Sequence, residues 1–460
     1  MRNESDVESE TEPVGTNEAN LEAKRMPSDD KDLDYTFARV PKEAFKNFGA
    51  MFVIMMGFTF FSGSMWTGVT LANGLDWNGF LLSVLLGGII LSVYTGTLGY
   101  IGSDTRLSFH LLCHYAFGRK GSYLPSLMIA ATQIGWFGVG AAMFAIPAAH
   151  QLAAVTGLSE TVLTVIFVLI CGGCMTASAY HGIKGIEIVS WISCPLIAIL
   201  GIASMTMAAQ SYDGGFVAMF GQSAGSLSLV SGIGLVVGSF VSGGTATANF
   251  TRFAKNNRSS VISTVCAFLI GNTLMFMFGG VAGAATGQND IFYVMIAQGT
   301  FMGIAAFLVL GANIWTTNDS ALYTGALGLS NITKKSKHAM VLVSGIVGTV
   351  LAIWLYDNFT SYLTILNASL PCIGAIIAVD FFRDRERYHR PLEEERSINW
   401  TAIIAMVAGF LVGNLTSGTF IPGFTWGIAA LNNMAVAAIV YLVLDKVLAK
   451  KPTEPLEVAA

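Results

Sequence analysis

All 25 lysines and arginines of this 460-residue chain fall on alternate connections between long apolar stretches. Crossing about 30 Å of hydrocarbon takes about 20 helical residues. Twelve stretches meet that length, at 47–73, 78–102, 122–152, 160–180, 185–209, 228–252, 259–285, 299–326, 339–356, 358–381, 399–417 and 424–447. The leading segment holds Arg2, Lys24, Arg25, Lys31, Arg39, Lys42 and Lys46, and the next connection, LANGLDWNG, holds none. Arg106, Arg119 and Lys120 follow the second stretch, Lys184 the fourth, and Arg252, Lys255 and Arg258 the sixth. Lys334, Lys335 and Lys337 follow the eighth, five arginines from Arg383 to Arg396 follow the tenth, and Lys446, Lys450 and Lys451 close the chain. Basic residues collect on the cytoplasmic side of a membrane, so the alternation predicts an all-α polytopic protein of twelve transmembrane helices with both termini cytoplasmic. A miscounted span would break the alternation.

Only 12% of the residues are charged, about half of what a soluble domain uses to cover its surface. Residues 1–46 are acidic, polar and without an apolar core, and read as a disordered cytoplasmic tail rather than a signal peptide. Residues 448–460 read as a second, short cytoplasmic tail. The net charge of −4 carries no indication of nucleic acid. Five of the six cysteines lie inside spans and Cys113 in a cytoplasmic connection, which is no disulfide framework. CGGC at 171–174 reads as small residues on a buried helix face.

Two spans contain polar interruptions at their centres. FFSGSMWTG, residues 60–68, lies in the first, and GSFVSGGTATANF, residues 238–250, in the sixth. Aligned as GFTFFSGSMWTG from Gly57 and GSFVSGGTATAN from Gly238, both run from a glycine through aromatics into a Ser-Gly cluster. Matched interruptions in two halves of a membrane protein mark an inverted repeat with discontinuous helices around a midplane site. Five spans is an odd offset, so the second copy is necessarily inverted. Unwound backbone survives at that depth only where it is buried or lines a cavity, and there its carbonyls can hold a cation. The bland alternative is that Ser and Gly simply admit close helix packing.

Further polar clusters converge on the same depth. In ATQIGWFGVG, Gln133 and Trp136 stand at i and i+3, on one helix face. An amide beside an indole suits a flat, hydrogen-bonding ligand; equally, Trp136 could pack in a core and Gln133 bond a neighbouring helix. GANIWTTNDSALY puts Asn313, Thr316, Thr317, Asn318, Asp319 and Ser320 within eight residues of an apolar span. Neutral oxygens at that spacing suit a hard monovalent cation, against the alternative of hydroxyls bonding back to their own helix. Asp319 is the one clearly intramembrane carboxylate; it is read as structural, with proton transfer as the alternative.

FTFFSGSMWTG, TQIGWFGVGAAMFAIP, GSFVSGGT and NIWTTNDSALY, with the spacing between them, resemble the bacterial cytosine permeases of the nucleobase cation symporter family. The likeness runs from about Phe48 to the last helix. It implies a five-plus-five inverted repeat of the leucine-transporter type (47–209 and 228–381), two further helices (399–447) and alternating access in a bacterial inner membrane. By the same resemblance, Trp136 and Phe240 would sandwich a pyrimidine. Gln133, Ser242, Asn313 and the backbone around Ser239 would bond its polar edge. Sodium, the coupling ion, would be held by carbonyls of Gly57, Phe61 and Asn313 and hydroxyls of Thr316 and Thr317. The implied partners are cytosine, sodium and the lipid bilayer, with no other cofactor, and the protein is expected to be a monomer. The alternatives are proton coupling or another nucleobase cargo on the same fold. A membrane enzyme or sensor is disfavoured, because no metal cluster, nucleophile-base pair or signalling domain is visible in the sequence.

Outside these motifs, HLLCH at 110–114 is expected to pack at the cytoplasmic interface, and Pro371 to bend the tenth helix.

Overall fold

The computed structural model describes residues 38–181, 186–221, 225–392 and 395–448, together with Tyr35. The described residues from 38 onward belong to one compact unit. The expected tail up to residue 46 lies mostly outside the described residues, which include only Tyr35 and residues 38–46 of it. Arg39 donates to the carbonyls of Thr105 and Tyr388, both at 2.6 Å, and Lys46 pairs through its backbone with Phe253 and Lys255. Residues 38–46 are thus tied to the loops on the basic face, because a guanidinium with five donors satisfies carbonyls left open at a helix C-terminus.

The first expected span is two helices, α1 (Phe48–Thr59) and α2 (Ser62–Ala72), bent by 47°. Then come α3 (Trp77–Thr105), a short α4 (Phe109–Phe117), α5 (Tyr123–Thr156), α6 (Glu160–His181), α7 (Ile186–Gln210) and a short α8 (Gly215–Gly221). The second half begins with α9 (Leu229–Thr245), one turn α10 (Ala248–Thr251), α11 (Asn257–Cys266), a π-turn at Ala267–Gly271 and α12 (Asn272–Thr286). It continues with a short α13 (Ile291–Ala297), α14 (Thr300–Thr333), α15 (Lys337–Asp357), and α16 (Phe359–Ser369) leading into α17 (Pro371–Arg383). The last two are α18 (Trp400–Thr416) and α19 (Ala429–Leu448). Among the described residues nine helical segments are long and apolar enough to span a bilayer, and the bent α1–α2 pair makes a tenth. The fifth and eleventh expected spans correspond to shorter apolar helices, Pro195–Gln210 within α7 and Trp400–Thr416.

Caps set the ends. Asn47, Asp76, Ser228, Ser336 and Asn399 each accept a backbone N–H with the side chain at a helix start, which satisfies donors that the helix itself leaves open. Pro371 occupies the first turn of α17, where its missing N–H costs nothing, so the tenth span is divided at Leu370. Leu169, Ile199 and Val350 are exposed, as side chains facing lipid tails are.

An inverted repeat of five spans requires contacts to occur in related pairs. The first span packs on the seventh, through α2 on α12, and the sixth packs on the second, through α9 on α3. The third and eighth spans, α5 and α14, are each other's counterparts and pack together. Small residues permit the closest of these approaches. A Cβ at Gly279 would lie 1.9 Å from the Met65 carbonyl, and one at Gly68 would lie 2.3 Å from that of Phe276.

The sixth span departs from expectation. Its helix runs unbroken through Ser239, Ser242, Gly243 and Gly244, and turns only at Ala246 and Thr247. Ser239 donates to the Val236 carbonyl at 2.8 Å. A Cβ at Gly238 would stand 2.1 Å from the carbonyl of Leu363 on α16. Close packing, not unwinding, accounts for that glycine.

Candidate functional site

The site is built around the break in the first span. Phe60 (φ −76°, ψ 75°) and Phe61 (φ −121°, ψ 129°) leave helical geometry between α1 and α2. The N–H of Phe61 turns to the Thr59 carbonyl at 2.9 Å, and that of Ser62 turns to Oδ1 of Asn313 at 3.1 Å. These two N–H groups would otherwise close on the carbonyls of Gly57 and Phe58. Asn313 also takes the Ser62 hydroxyl at 3.1 Å and donates Nδ2 to the Phe60 carbonyl at 2.8 Å. One buried carboxamide therefore satisfies a donor and an acceptor released by the break, each costly to bury unpaired.

The same residue organises the expected ion ligands. Thr316 and Thr317 donate their hydroxyls to the Asn313 carbonyl at 3.0 and 2.8 Å. In this arrangement that carbonyl is shared by two hydroxyl donors. Each hydroxyl oxygen keeps its lone pairs while it donates, so a cation would compete with these protons only for the carbonyl oxygen. The Phe61 carbonyl likewise receives the Ser64 N–H at 2.9 Å. Gly57 is half-buried on the last turn of α1. Asp319, further along α14, accepts from Ser178 of α6 at 2.6 Å, and Ser178 accepts from the Trp315 indole at 2.9 Å.

Beside the break lies an aromatic cage. The Phe61 ring makes edge contacts with Trp136 of α5 and with Phe240 of α9, at 5.6 and 6.4 Å between centroids. Gly63 makes room for that ring, since a Cβ there would lie 2.4 Å from it. Tyr362 and Phe359 of α16 complete the surroundings of Trp136, at 5.5 and 6.2 Å. The polar wall joins α5 to α9. Gln133 donates Nε2 to the Ser242 hydroxyl at 2.8 Å, Thr132 and Ser242 share a hydrogen bond of 3.1 Å, and Tyr362 donates to the Thr132 carbonyl at 2.6 Å. Gln133, Trp136, Ser239, Phe240, Ser242 and Asn313 are all buried.

The structure brings Gln133, Trp136, Phe240 and Ser242 together through Phe61 and Thr132. It gives the side chains of Asn313 and Ser239 to the backbone. Phe61 as a ring, Thr132 and Tyr362 were missed. The aromatic pair in FFSGS and the Thr-Gln pair in ATQIGW were the available signals.

Further aromatic and polar groups are buried beyond the cage. Away from the basic loops, Trp66 stacks on Phe359 at 3.9 Å and donates to the Asn289 carbonyl at 2.7 Å. Tyr356 donates to Asp290 at 2.9 Å. Burial pushes the Asp290 carboxyl up to about 6, against hydrogen bonds that favour its ionised form. On the basic face, α4 is buried throughout, so HLLCH belongs to the interior and not to an interface. His110 pairs with Ser126 at 3.1 Å and His114 with Asn331 at 3.3 Å. Burial lowers both imidazoles, to about 3 and about 4, and holds them neutral. Among the described residues no group of His, Cys, Asp and Glu could hold a metal ion.

Comparison with known proteins agrees with this architecture. The family profile described as “Permease for cytosine/purines, uracil, thiamine, allantoin” matches residues 39–450. The cytosine permease of Escherichia coli (strain K12) is 43% identical over 424 residues, covering 92% of this chain and 97% of that protein. Nicotinamide riboside transporter 1 of Saccharomyces cerevisiae is 22% identical over 418 residues, covering 80% of this chain and 68% of that protein. Among solved structures, the inward-facing conformation of Mhp1 superposes with a TM-score of 0.75 at 16% identity, over 90% of this chain and 93% of Mhp1. The closed conformation of Mhp1, a nucleobase-cation-symport-1 family transporter with bromovinylhydantoin bound, gives 0.72 at 17% identity, over 88% and 93%. These structural likenesses carry the fold, the five-plus-five leucine-transporter arrangement. With the profile covering nearly the whole chain and a relative this similar, the chain belongs to the family of permeases for cytosine/purines, uracil, thiamine and allantoin, and is a membrane transporter, not an enzyme.

Proposed function

We propose that this protein imports cytosine by sodium-coupled symport with alternating access across a bacterial inner membrane, as a monomer with its basic loops and both termini in the cytoplasm. The observation that carries this reading is the junction of α5 and α9 beside the broken first span. There, Gln133 and Ser242 form a polar wall next to Trp136, Phe61 and Phe240. A flat base takes an aromatic surface and a polar edge, and this junction offers both. The identity to cytosine permeases supports the cargo, and the turn of α14 carrying Asn313, Thr316 and Thr317 against the break supports the ion.

A second reading is proton coupling. It is favoured by the Thr316 and Thr317 hydroxyls already donating to Asn313, with the Asp319 carboxylate less than one turn beyond Thr317.

The test is binding of radiolabelled cytosine to purified protein, with sodium or potassium present and with uracil as competitor. Tight binding that rises with sodium and yields poorly to uracil is expected. Equal competition by uracil overturns the cargo, and binding that ignores sodium but follows a pH gradient in proteoliposomes favours the second reading.

A further inference from the structure

The proposed cargo leaves one question open at the polar wall: a carboxamide can present either its oxygen or its nitrogen to a base. Cytosine and uracil differ at that edge. Cytosine carries an exocyclic amine and a ring acceptor where uracil carries a carbonyl and a ring N–H. An acceptor on the protein therefore suits the amine of cytosine, and a donor suits the carbonyl of uracil. Gln133 supplies either, according to which way it is turned.

The hydrogen bonds around Ser242 select one. Thr132 donates its single hydroxyl proton to the Ile129 carbonyl at 2.9 Å, and a carbonyl can only accept. The 3.1 Å contact between Thr132 and Ser242 is then made with Thr132 as acceptor and Ser242 as donor. With its proton used, the Ser242 oxygen has only acceptor capacity left, and it lies 2.8 Å from Gln133. That position must be filled by Nε2, the donor end of the carboxamide. Ser242 is completely buried, so bulk water cannot reverse the order. Tyr362 holds the backbone of Thr132 in place through its 2.6 Å bond to the carbonyl.

We propose that Thr132 is a specificity-determining residue of the transporter: through Ser242 it fixes the Gln133 carboxamide with its oxygen turned to the ligand, and so selects an amino-pyrimidine over its oxo analogue. It is a positioning residue, acting on the base only through Ser242 and Gln133. The inference rests on the cytosine reading.

The relay makes a specific demand of substitutions. In Thr132→Val the shape is kept and the hydroxyl lost, so Ser242 loses the acceptor that takes its proton and becomes able to donate to the Gln133 oxygen. The carboxamide then turns, and a donor faces the ligand. Mismatching one buried hydrogen bond changes affinity by about tenfold, so the preference for cytosine over uracil should shrink at least about fivefold, with uracil binding more tightly than in the wild type. Thr132→Ser keeps the hydroxyl and should restore the wild-type ratio.

The experiment measures competition of unlabelled cytosine and uracil against labelled cytosine, on purified wild type, Thr132→Val, Thr132→Ala and Thr132→Ser. The alanine variant carries the test if valine does not fold at this half-buried site. An unchanged cytosine-to-uracil ratio in the hydroxyl-free variants overturns the proposal. So does equal weakening of both ligands, which is what a purely structural role gives. A wild type that prefers uracil from the start overturns the cytosine reading together with this inference. A cytosine-selective wild type whose hydroxyl-free variants keep that selectivity overturns the inference alone.

Discussion

The side-chain amide of Asn313 donates to the backbone carbonyl of Phe60 at 2.8 Å while its oxygen accepts the N–H of Ser62 at 3.1 Å. A single residue of the eighth span thereby closes both ends of a gap in the first. Removing it in Asn313→Ala leaves a buried N–H and a buried C=O unpaired, at about 1 to 3 kcal/mol for each group. Purified Asn313→Ala should melt well below the wild type. A melting temperature equal to wild type would mean that the break is held by other contacts.

Aromatic stacking on a base contributes about 1 to 3 kcal/mol per contact. Trp136→Ala and Phe240→Ala should each weaken cytosine binding about tenfold or more. Phe61→Ala should do the same, because its ring touches both of the others. Equilibrium binding to purified variants measures this; full affinity in Trp136→Ala would remove α5 from the site.

Sodium and cytosine should reinforce each other. An ion held by carbonyls of Gly57, Phe61 and Asn313 and hydroxyls of Thr316 and Thr317 joins α1 and α2 to α14, so its occupancy favours an assembled cage. Linkage is reciprocal, with typical couplings of about 1 to 3 kcal/mol. Cytosine binding should rise with sodium and respond little to potassium. Thr316→Ala or Thr317→Ala should abolish that rise, and Asp319→Asn should leave it in place. A titration in which Asp319→Asn alone removes the ion response would shift the coupling to that carboxylate.

Asp290 should give the protein a pH-dependent stability. Its carboxyl is raised from the ordinary 3.8 to about 6 by burial, so across that interval the native state holds the proton that the unfolded state has released. Stability then falls as pH rises, because the native state binds more protons. The contribution of the neutral acid is complete below about pH 4 and is lost as pH rises through about 6. Asp290→Asn should flatten the melting temperature over that window. An identical slope in both proteins would assign the pH dependence elsewhere.

The membrane architecture was legible in the chain because bilayer solvation acts on every residue of a span alike. Apolar length and the alternation of basic connections are properties of the sequence itself. The break at Phe60 and Phe61 was legible for a similar reason: FFSGS places residues with little to gain from a helix at the centre of one. The matching cluster in the sixth span shows the limit of that logic. Gly238 looks like an interruption in the sequence and is, in the fold, the seat of the Leu363 carbonyl. A glycine permits either outcome, and only the neighbouring helix decides.

The wiring of the site was settled by the tertiary structure. Gln133 meets Ser242 across 109 positions, and Asn313 meets Ser62 across 251. No local pattern encodes such partners, because a carboxamide or a hydroxyl bonds whatever acceptor or donor the packing delivers. Helix periodicity put Gln133 and Trp136 on one face. Packing of α5 against α9 and α16 gave that face its direction, by setting Thr132, Ser242 and Tyr362 around it. Burial of Asp290 and of both histidines of HLLCH was decided the same way. The sequence shows that these residues can ionise, but the loss of water around them arises only when distant segments close over them.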